Sequence, residues 1–415
     1  MALNSGPSRR ARAPAVPFII VTAFVSSLVT GVVIPLFPGL IMELTGEDLS
    51  AAAEWGGIAT LVYAAMQFMF SPILGGLSDR FGRRPVMLIS LTALAFDMLL
   101  IALAGSIGLF LVARTLSGVC SATFATANAY ITDIVEPEKR AQNYGMVGAA
   151  FGFGFIAGPI LGGLLGEYDL RAPFYASAGL AAVTTVYGAV FVPESLSPEK
   201  RRPFSWARAN AFGTLLRLLR VPRLGVLIPV FFFATLSSWV YPAVWSYVAI
   251  AKFDWSEAEI GASIAYYGVI FVLSQAVVIR FVMARFSAQH VVAVALLLEF
   301  GALLGIGFSA DVVTLYVMVS FALITSMQEP AIKEIMAGQV SESEQGELQG
   351  GLAALSGLAM VFSPVLYTQV FSTFNGESLG LRFPGAPFVV ASLFSLVALV
   401  LVFARKREPA IQAIS

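Results

Sequence analysis

The sequence predicts an all-α membrane protein. Twelve transmembrane helices form two pseudo-symmetric bundles of six, with both termini in the cytoplasm. Three observations predict it. Hydrophobic residues make up 58% of the 415 positions and charged residues 12%, with a mean hydropathy of +0.84. A soluble chain carries about twice that charged fraction. Twelve apolar runs are long enough to cross a hydrocarbon core, which takes about 20 helical residues. Lys and Arg gather at alternate ends of these runs.

The first six runs have cores at 17–42, 55–77, 85–104, 107–132, 143–166 and 172–192. The second six lie at 224–250, 259–281, 289–309, 312–336, 346–372 and 386–404. The chain therefore divides into an N-terminal bundle (1–192), a linker (193–223) and a C-terminal bundle (224–415). The linker is basic and partly amphipathic, which suits a segment lying along the membrane surface. No small-residue cleavage site follows a short apolar region, so no cleavable signal peptide is expected. With both termini inside, the inner segments hold 20 of the 25 Lys and Arg residues, whereas the outer loops are acidic.

Composition also excludes function classes. Net charge is zero, so nothing points to nucleic acid. A single cysteine, Cys120, excludes an intrachain disulfide and a cysteine metal cluster, and a single histidine, His290, excludes most histidine metal sites and triads. No metal site and no cofactor are expected. No Gly-rich phosphate loop is present, which argues against direct ATP coupling.

The halves read as repeats. Gly145 and Pro159 in run five recur as Gly350 and Pro364 in run eleven, 205 residues later. Gln67 has a counterpart in Gln275, and Pro35 in Pro242. Repeats of this kind place a substrate site near the midplane.

The turn between runs two and three reads GGLSDRFGRRP, from Gly75 to Pro85. Its glycines permit a tight turn. Asp79 can face the positive end of a neighbouring helix. The arginines, Arg80 and Arg83 among them, can pair with Asp133 at the inner end of run four, a charge latch for one access state. The turn resembles the signature of the major facilitator superfamily, which implies the major facilitator fold. Run four, LVARTLSGVCSATFATANAYITDIVEPEKRA, resembles the Arg-x-x-x-Gly pattern of proton-coupled facilitators through Arg114 and Gly118. Run five, FGFGFIAGPILGG, resembles the Gly-Pro motif of antiporters through Gly158 and Pro159, where small residues allow close helix packing. With EQGELQGGLAALSGL at 344–358 and GVVIPLFPGL in run one, the chain resembles the tetracycline-resistance efflux proteins over nearly its whole length.

That resemblance implies a drug:proton antiporter of the bacterial inner membrane, driven by the proton gradient. Its partners would be a small-molecule substrate, protons and the bilayer. Twelve spans enclosing their own pathway make a monomer sufficient. The sequence also departs from the family. Ser26 stands where those pumps carry an aspartate, and Trp55 and Phe271 stand at histidine positions. These losses argue against specialisation for a magnesium–tetracycline complex. The family acids of runs three and nine are kept as Asp97 and Glu299.

A charge at bilayer depth costs about 2.5–3.5 kcal/mol on insertion scales, so each needs a partner or a task. Asp97 lies near the middle of run three and Glu299 in the matching place of run nine. Either can load and release a proton, or simply bond a neighbouring helix. Arg114 cannot shed its proton, so it either tunes a nearby acid or snorkels outward. Glu329 and Lys333 have the favourable acid-first helical spacing. They form a self-neutralised pair, or Lys333 binds an anionic group while Glu329 loads a proton. Lys333 corresponds to Asn128 on the repeat offset, which adds Asn128 to the candidates. Tyr63, Gln67, Trp239, Trp245 and Gln275 complete a candidate substrate cavity. The leading function is thus proton-driven export of amphipathic molecules, and the alternative is a carrier of an organic anion.

Overall fold

The computed structural model describes residues 15–121, 123–206, 209–341, 344–376 and 382–404, and no strand occurs among them. The basic residues Arg9, Arg10, Arg12, Arg208, Arg405, Lys406 and Arg407, counted above among the inner 20, lie outside this set.

The helices are α1 (Ala15–Thr45), α2 (Leu49–Phe81), α3 (Arg83–Ala102), α4 (Ile107–Val119), α5 (Thr123–Ile134), α6 (Pro137–Gly166) and α7 (Ala172–Phe191). After the linker helix α8 (Ala211–Leu219) come α9 (Leu227–Ser238), α10 (Val240–Phe253), α11 (Glu257–Leu273) and α12 (Ile279–Met283). The chain continues through α13 (Ala288–Phe308), α14 (Val312–Ser320), α15 (Ala322–Thr325), α16 (Gln328–Ala337), α17 (Gln345–Asn375) and α18 (Ala386–Ala404). Among the described residues, eleven uninterrupted or nearly uninterrupted helical stretches are long and apolar enough to cross a membrane. α4 is shorter, and it is followed almost at once by α5.

Several runs that read as single helices are broken. Run four breaks between Val119 and Thr123, run seven at Trp239, and run ten after Ser320 and again at Ser326–Met327. Run eight carries a π-helical turn, Ser274–Val278, between α11 and α12. Such breaks free backbone carbonyls that must find partners at bilayer depth. They therefore concentrate side-chain hydrogen bonds.

The chain contacts cluster into two compact units. The first comprises Met1–Gly46, Val62–Asn210 and Ser256–Ala265, and the second Glu47–Leu61, Ala211–Trp255 and Tyr266–Ser415. In the first, α1 packs closely along α6: Ser27 Oγ donates to the Phe151 carbonyl at 2.6 Å. Below this contact, Phe18, Ile19, Met87, Leu91, Tyr130 and Ile131 form a buried core. In the second unit, α9, α13 and α18 pack together: Ser237 Oγ donates to the Ala391 carbonyl and Ser395 Oγ to the Leu296 carbonyl, both at 2.9 Å. Lys252 Nζ donates to the Ile306 and Gly307 carbonyls at 3.0 and 2.9 Å, capping the end of α13. The linker helix α8 sits on the start of α17, with an Arg217–Glu347 ion pair at 3.2 Å and buried Leu218 against Gly351. Val183, Val186, Val190 and Phe191 of α7 stand exposed. An apolar face like this suits lipid rather than water.

Candidate functional site

Four clusters hold the residues singled out in the sequence. The first joins the α2–α3 turn to α5. Arg83 Nη1 donates to Asp79 at 2.5 Å and Arg83 Nε to Asp133 Oδ2 at 3.2 Å, so Asp79, Arg83 and Asp133 are brought together. Ser195 Oγ donates to the same Asp133 oxygen at 3.1 Å. The Glu194 carboxylate accepts from the backbone N–H of Arg83 at 2.8 Å and of Arg84 at 3.2 Å, capping α3. Arg80 is not part of this network in the same way, because its guanidinium lies 5.0 Å over the Phe81 ring. Glu194 and Ser195 were missed in the sequence, although PES at a helix end is an available signal.

The second cluster surrounds Asp97. Arg114 Nη2 donates to Asp97 Oδ2 at 2.5 Å, and both side chains are buried. Asp97 Oδ1 and Arg114 Nε are buried with no hydrogen-bond partner among the described residues. The guanidinium lies 5.8 Å over the rings of both Phe37 and Tyr63, where cation–π attraction adds to the ion pair. Tyr63 Oη and Gln67 Nε2 both bond Ser121 Oγ, at 3.1 and 2.9 Å, at the break between α4 and α5. Close approach of α4 to α2 makes this possible: a Cβ on Gly118 would stand 2.4 Å from the Tyr63 carbonyl oxygen. Asn128 lies further along α5 and its carbonyl accepts from Thr132 Oγ1 at 2.9 Å. Ser26 keeps its hydroxyl buried without a partner among the described residues.

The third cluster surrounds Glu299, which is 3% exposed. Ser238 Oγ donates to Oε1 at 3.0 Å, and Gln328 Nε2 donates to Oε2 in a short hydrogen bond. Gln328 Nε2 also reaches Ser238 Oγ at 3.0 Å. Among the described residues no ion pair reaches Glu299. The two buried acids thus differ in kind, one held by a guanidinium and the other by neutral donors only. Sequence reading missed Gln328 and Ser238, since an uncharged amide or hydroxyl in an apolar run costs less than a charge and the adjacent Glu329 and Lys333 stand out more.

The fourth cluster is looser. Lys333 Nζ donates to Glu329 at 2.6 Å, with the two side chains 36% and 51% exposed. Glu329 therefore lies apart from the buried Glu299–Gln328 cluster, although it adjoins Gln328 in sequence. Gln275 Nε2 donates to the Ser326 carbonyl at 2.9 Å, serving the break in run ten. Trp245 is 8% exposed and packs against Tyr241 and Phe388. Trp239 sits half-buried at the break between α9 and α10. Gly158 and Pro159 lie on the α6 face against α1, where a Gly158 Cβ would meet the Leu28 carbonyl oxygen at 2.4 Å.

These arrangements set two buried carboxyls, one beside a guanidinium and one beside neutral donors, among polar side chains at helix breaks. No group of three or more His, Cys, Asp or Glu residues suited to a metal occurs among the described residues.

Comparison with known proteins agrees with this architecture. The profile of the Major Facilitator Superfamily matches residues 19–247 and again 227–414. The class C tetracycline resistance protein of Escherichia coli is 34% identical, covering 86% of this chain and 91% of its own. The class D protein of Salmonella ordonez is 31% identical over 95% and 98% of the two chains. Multidrug resistance protein 2 of Bacillus subtilis is 26% identical over 93% of each. Among solved structures, the human organic anion transporter MFSD10 aligns with a TM-score of 0.68 at 23% identity, over 96% of this chain and all of that one. A variant of the nucleoside transporter NupG aligns with a TM-score of 0.76 at 13% identity, over 94% and 99%. With one profile matched on each half, and relatives above 30% identity along nearly the whole length, the chain belongs to the Major Facilitator Superfamily.

Proposed function

We propose that this protein is a proton-coupled secondary transporter that exports amphipathic small molecules by alternating access. The observation that carries the reading is Glu299, a carboxyl buried in the C-terminal half, held by Ser238 and Gln328 and without an ion-pair partner among the described residues. A buried acid with neutral partners can exist both charged and protonated, as a proton carrier must. Asp97, fixed by Arg114, complements it: a proton arriving there releases the arginine to another partner. Tyr63, Gln67, Asn128, Trp239, Trp245 and Gln275 are proposed to line the substrate route. Asp79, Arg80, Arg83, Asp133, Gly158 and Pro159 are proposed to govern opening at its ends. Twelve spans, cytoplasmic termini and residence in the bacterial inner membrane belong to the same reading.

Relatives named for tetracycline and multidrug resistance support drug export as the direction. The family's aspartate is replaced by Ser26, so the substrate is proposed to be something other than a metal-chelated tetracycline. A second reading, carriage of an organic anion with Lys333 as its ligand, draws on the exposure of Lys333 and on the name of the human relative.

Proteoliposomes with an imposed proton gradient separate the two. A panel of lipophilic cations, zwitterions and carboxylates is added while internal pH is followed. Export by antiport predicts that a cation or zwitterion dissipates the gradient, and that Asp97→Asn or Glu299→Gln abolishes this. If only carboxylates respond, moving with protons and requiring Lys333, the export reading is wrong.

A further inference from the structure

Run ten is hinged beside the Glu299 carboxyl. α15 ends at Thr325, Ser326 and Met327 form a turn, and α16 begins at Gln328. Partners from run eight hold that turn: Ser326 Oγ donates to Ser274 Oγ at 2.7 Å and the Ser326 carbonyl accepts from Gln275 Nε2 at 2.9 Å. Both partners lie in the π-helical turn Ser274–Val278, itself an irregular point in its helix. Gln328 is thus the first residue past the hinge, and its amide N–H groups lie on Glu299 and Ser238.

The other half of the amide is unused. Gln328 Oε1 is buried with no hydrogen-bond partner among the described residues, and the side chain is 3% exposed. An idle buried acceptor is costly, by about 1–3 kcal/mol for an unsatisfied group. Yet a carboxylate can only accept, whereas a carboxylic acid also donates. Rotation of the amide by a half turn would present Oε1 to the O–H of protonated Glu299. One residue can then satisfy both charge states.

We propose that Gln328 is a positioning residue that couples the protonation state of Glu299 to the hinge of run ten, meeting the carboxylate with its N–H and the acid with its carbonyl. This rests on the reading of Glu299 as a proton carrier. The proton enters on a Glu299 oxygen, the Gln328–Glu299 donation is lost, and the reversed bond forms in its place. No covalent bond changes.

The surroundings leave Gln328 the principal responder. The hydroxyls of Tyr241 (α10), Tyr267 (α11) and Tyr367 (α17) interact electrostatically with Glu299. All three remain neutral phenols through the range in which a carboxyl titrates. Of the other helices packed on α13, α18 carries no charged residue and α15 none, whereas α14 offers Tyr316. α12 contributes Arg280, and α16 itself contributes Glu329, Lys333 and Glu334, all exposed or half-exposed. On α13 itself, His290 is exposed near the start of the helix and bonded to Ser287.

Hydrogen exchange of the purified full-length protein in nanodiscs, with the proton as the probe, tests this without a substrate. Infrared pH-difference spectra on the same samples report the acid carbonyl. In the wild type, amides over 320–336 should change protection with pH by a factor of about 10, the weight of one hydrogen bond to a charged group. Glu299→Gln should abolish that response and remove one component of the acid band, the part due to Glu299. Gln328→Met should keep the acid band, shifted to higher frequency, but lose the response at the hinge. Gln328→Ala, equally unable to hydrogen-bond through its side chain, should likewise lose the response at the hinge and serves if the methionine variant fails to fold. If Gln328→Met keeps the wild-type response while Glu299→Gln loses it, Gln328 does not couple and Glu299 still carries the proton. If the acid band of Glu299→Gln is identical to that of the wild type, the proton-carrier reading of Glu299 falls and the inference with it.

Discussion

Removing Asp97 should cost far more than its size suggests. Asp97→Asn leaves Arg114 buried, charged and without its carboxylate, which now sits at 2.5 Å. Charge centres about 4 Å apart attract by about 4 kcal/mol at an effective dielectric near 20. An asparagine amide returns about 1 kcal/mol of that as a neutral hydrogen bond. The net loss of about 3 kcal/mol falls at the lower end of what broken buried pairs cost, about 3–5 kcal/mol. The Phe37 and Tyr63 rings face the guanidinium in both forms and cancel from the difference. Arg114→Met should be milder, about 1–3 kcal/mol, because a stranded carboxyl can bind a proton whereas a guanidinium cannot lose one. The double variant should recover most of the loss, since removing both charges of a buried pair is often neutral. Reversible denaturant unfolding in micelles at neutral pH, run on wild type, both singles and the double, measures all three. The reasoning is refuted if Asp97→Asn unfolds like the wild type, or if the double variant loses the sum of the singles.

Two further outcomes are expected. Gly158→Ala should lower stability by about 1–3 kcal/mol, because the new Cβ would meet the Leu28 backbone oxygen at 2.4 Å and backbone cannot rotate aside. Gly148→Ala on the same helix, with nothing within 4 Å, should be neutral or gain up to about 1 kcal/mol, so equal melting curves would refute the packing account. At the start of α14, bonds from the Thr314 backbone N–H and hydroxyl hold the exposed Asp311 carboxyl below its ordinary value of 3.8. Its stabilising effect is therefore present above that value and is lost as pH falls through the lower folded one. The wild type's advantage over Asp311→Ala should shrink on acidification below about pH 4, and a pH-independent difference in melting temperature would contradict this.

Charged residues were the most legible part of the sequence. Asp133 was expected to meet the arginines of the α2–α3 turn, and Arg83 lies 3.2 Å from it. Arg114 was expected either to tune an acid or to snorkel, and it pairs with Asp97. The spacing of Glu329 and Lys333 left a self-neutralised pair or separate roles, and the two side chains meet at 2.6 Å. Buried charge is legible because it is expensive and must be answered by something in reach. Breaks in the helices were not legible. Ser121, Trp239 and Ser326 interrupt runs whose hydropathy is continuous, and hydropathy reports depth rather than dihedral angle. Gln328 was hidden for a related reason: adjacent Glu329 and Lys333 drew the argument, while the neutral neighbour faced the acid.

The bonds at the breaks bear on how the protein could have arisen. Gln67 meets the Ser121 hydroxyl, and Gln275 meets the Ser326 carbonyl, with the two serines 205 positions apart, the same offset that relates Gly145 to Gly350. The partner of the buried acid near each break is unlike, charged Arg114 for Asp97 in one half and neutral Gln328 for Glu299 in the other. A duplicated ancestor that already owned the glutamine–serine clasp and a buried acid would leave this pattern, with a shared mechanical joint, a shared carboxyl and separately acquired partners for it. Each copy was then free to diverge electrically while the joint stayed in common, so grafting one half's ion pair onto the other is a way to replay that divergence in the laboratory.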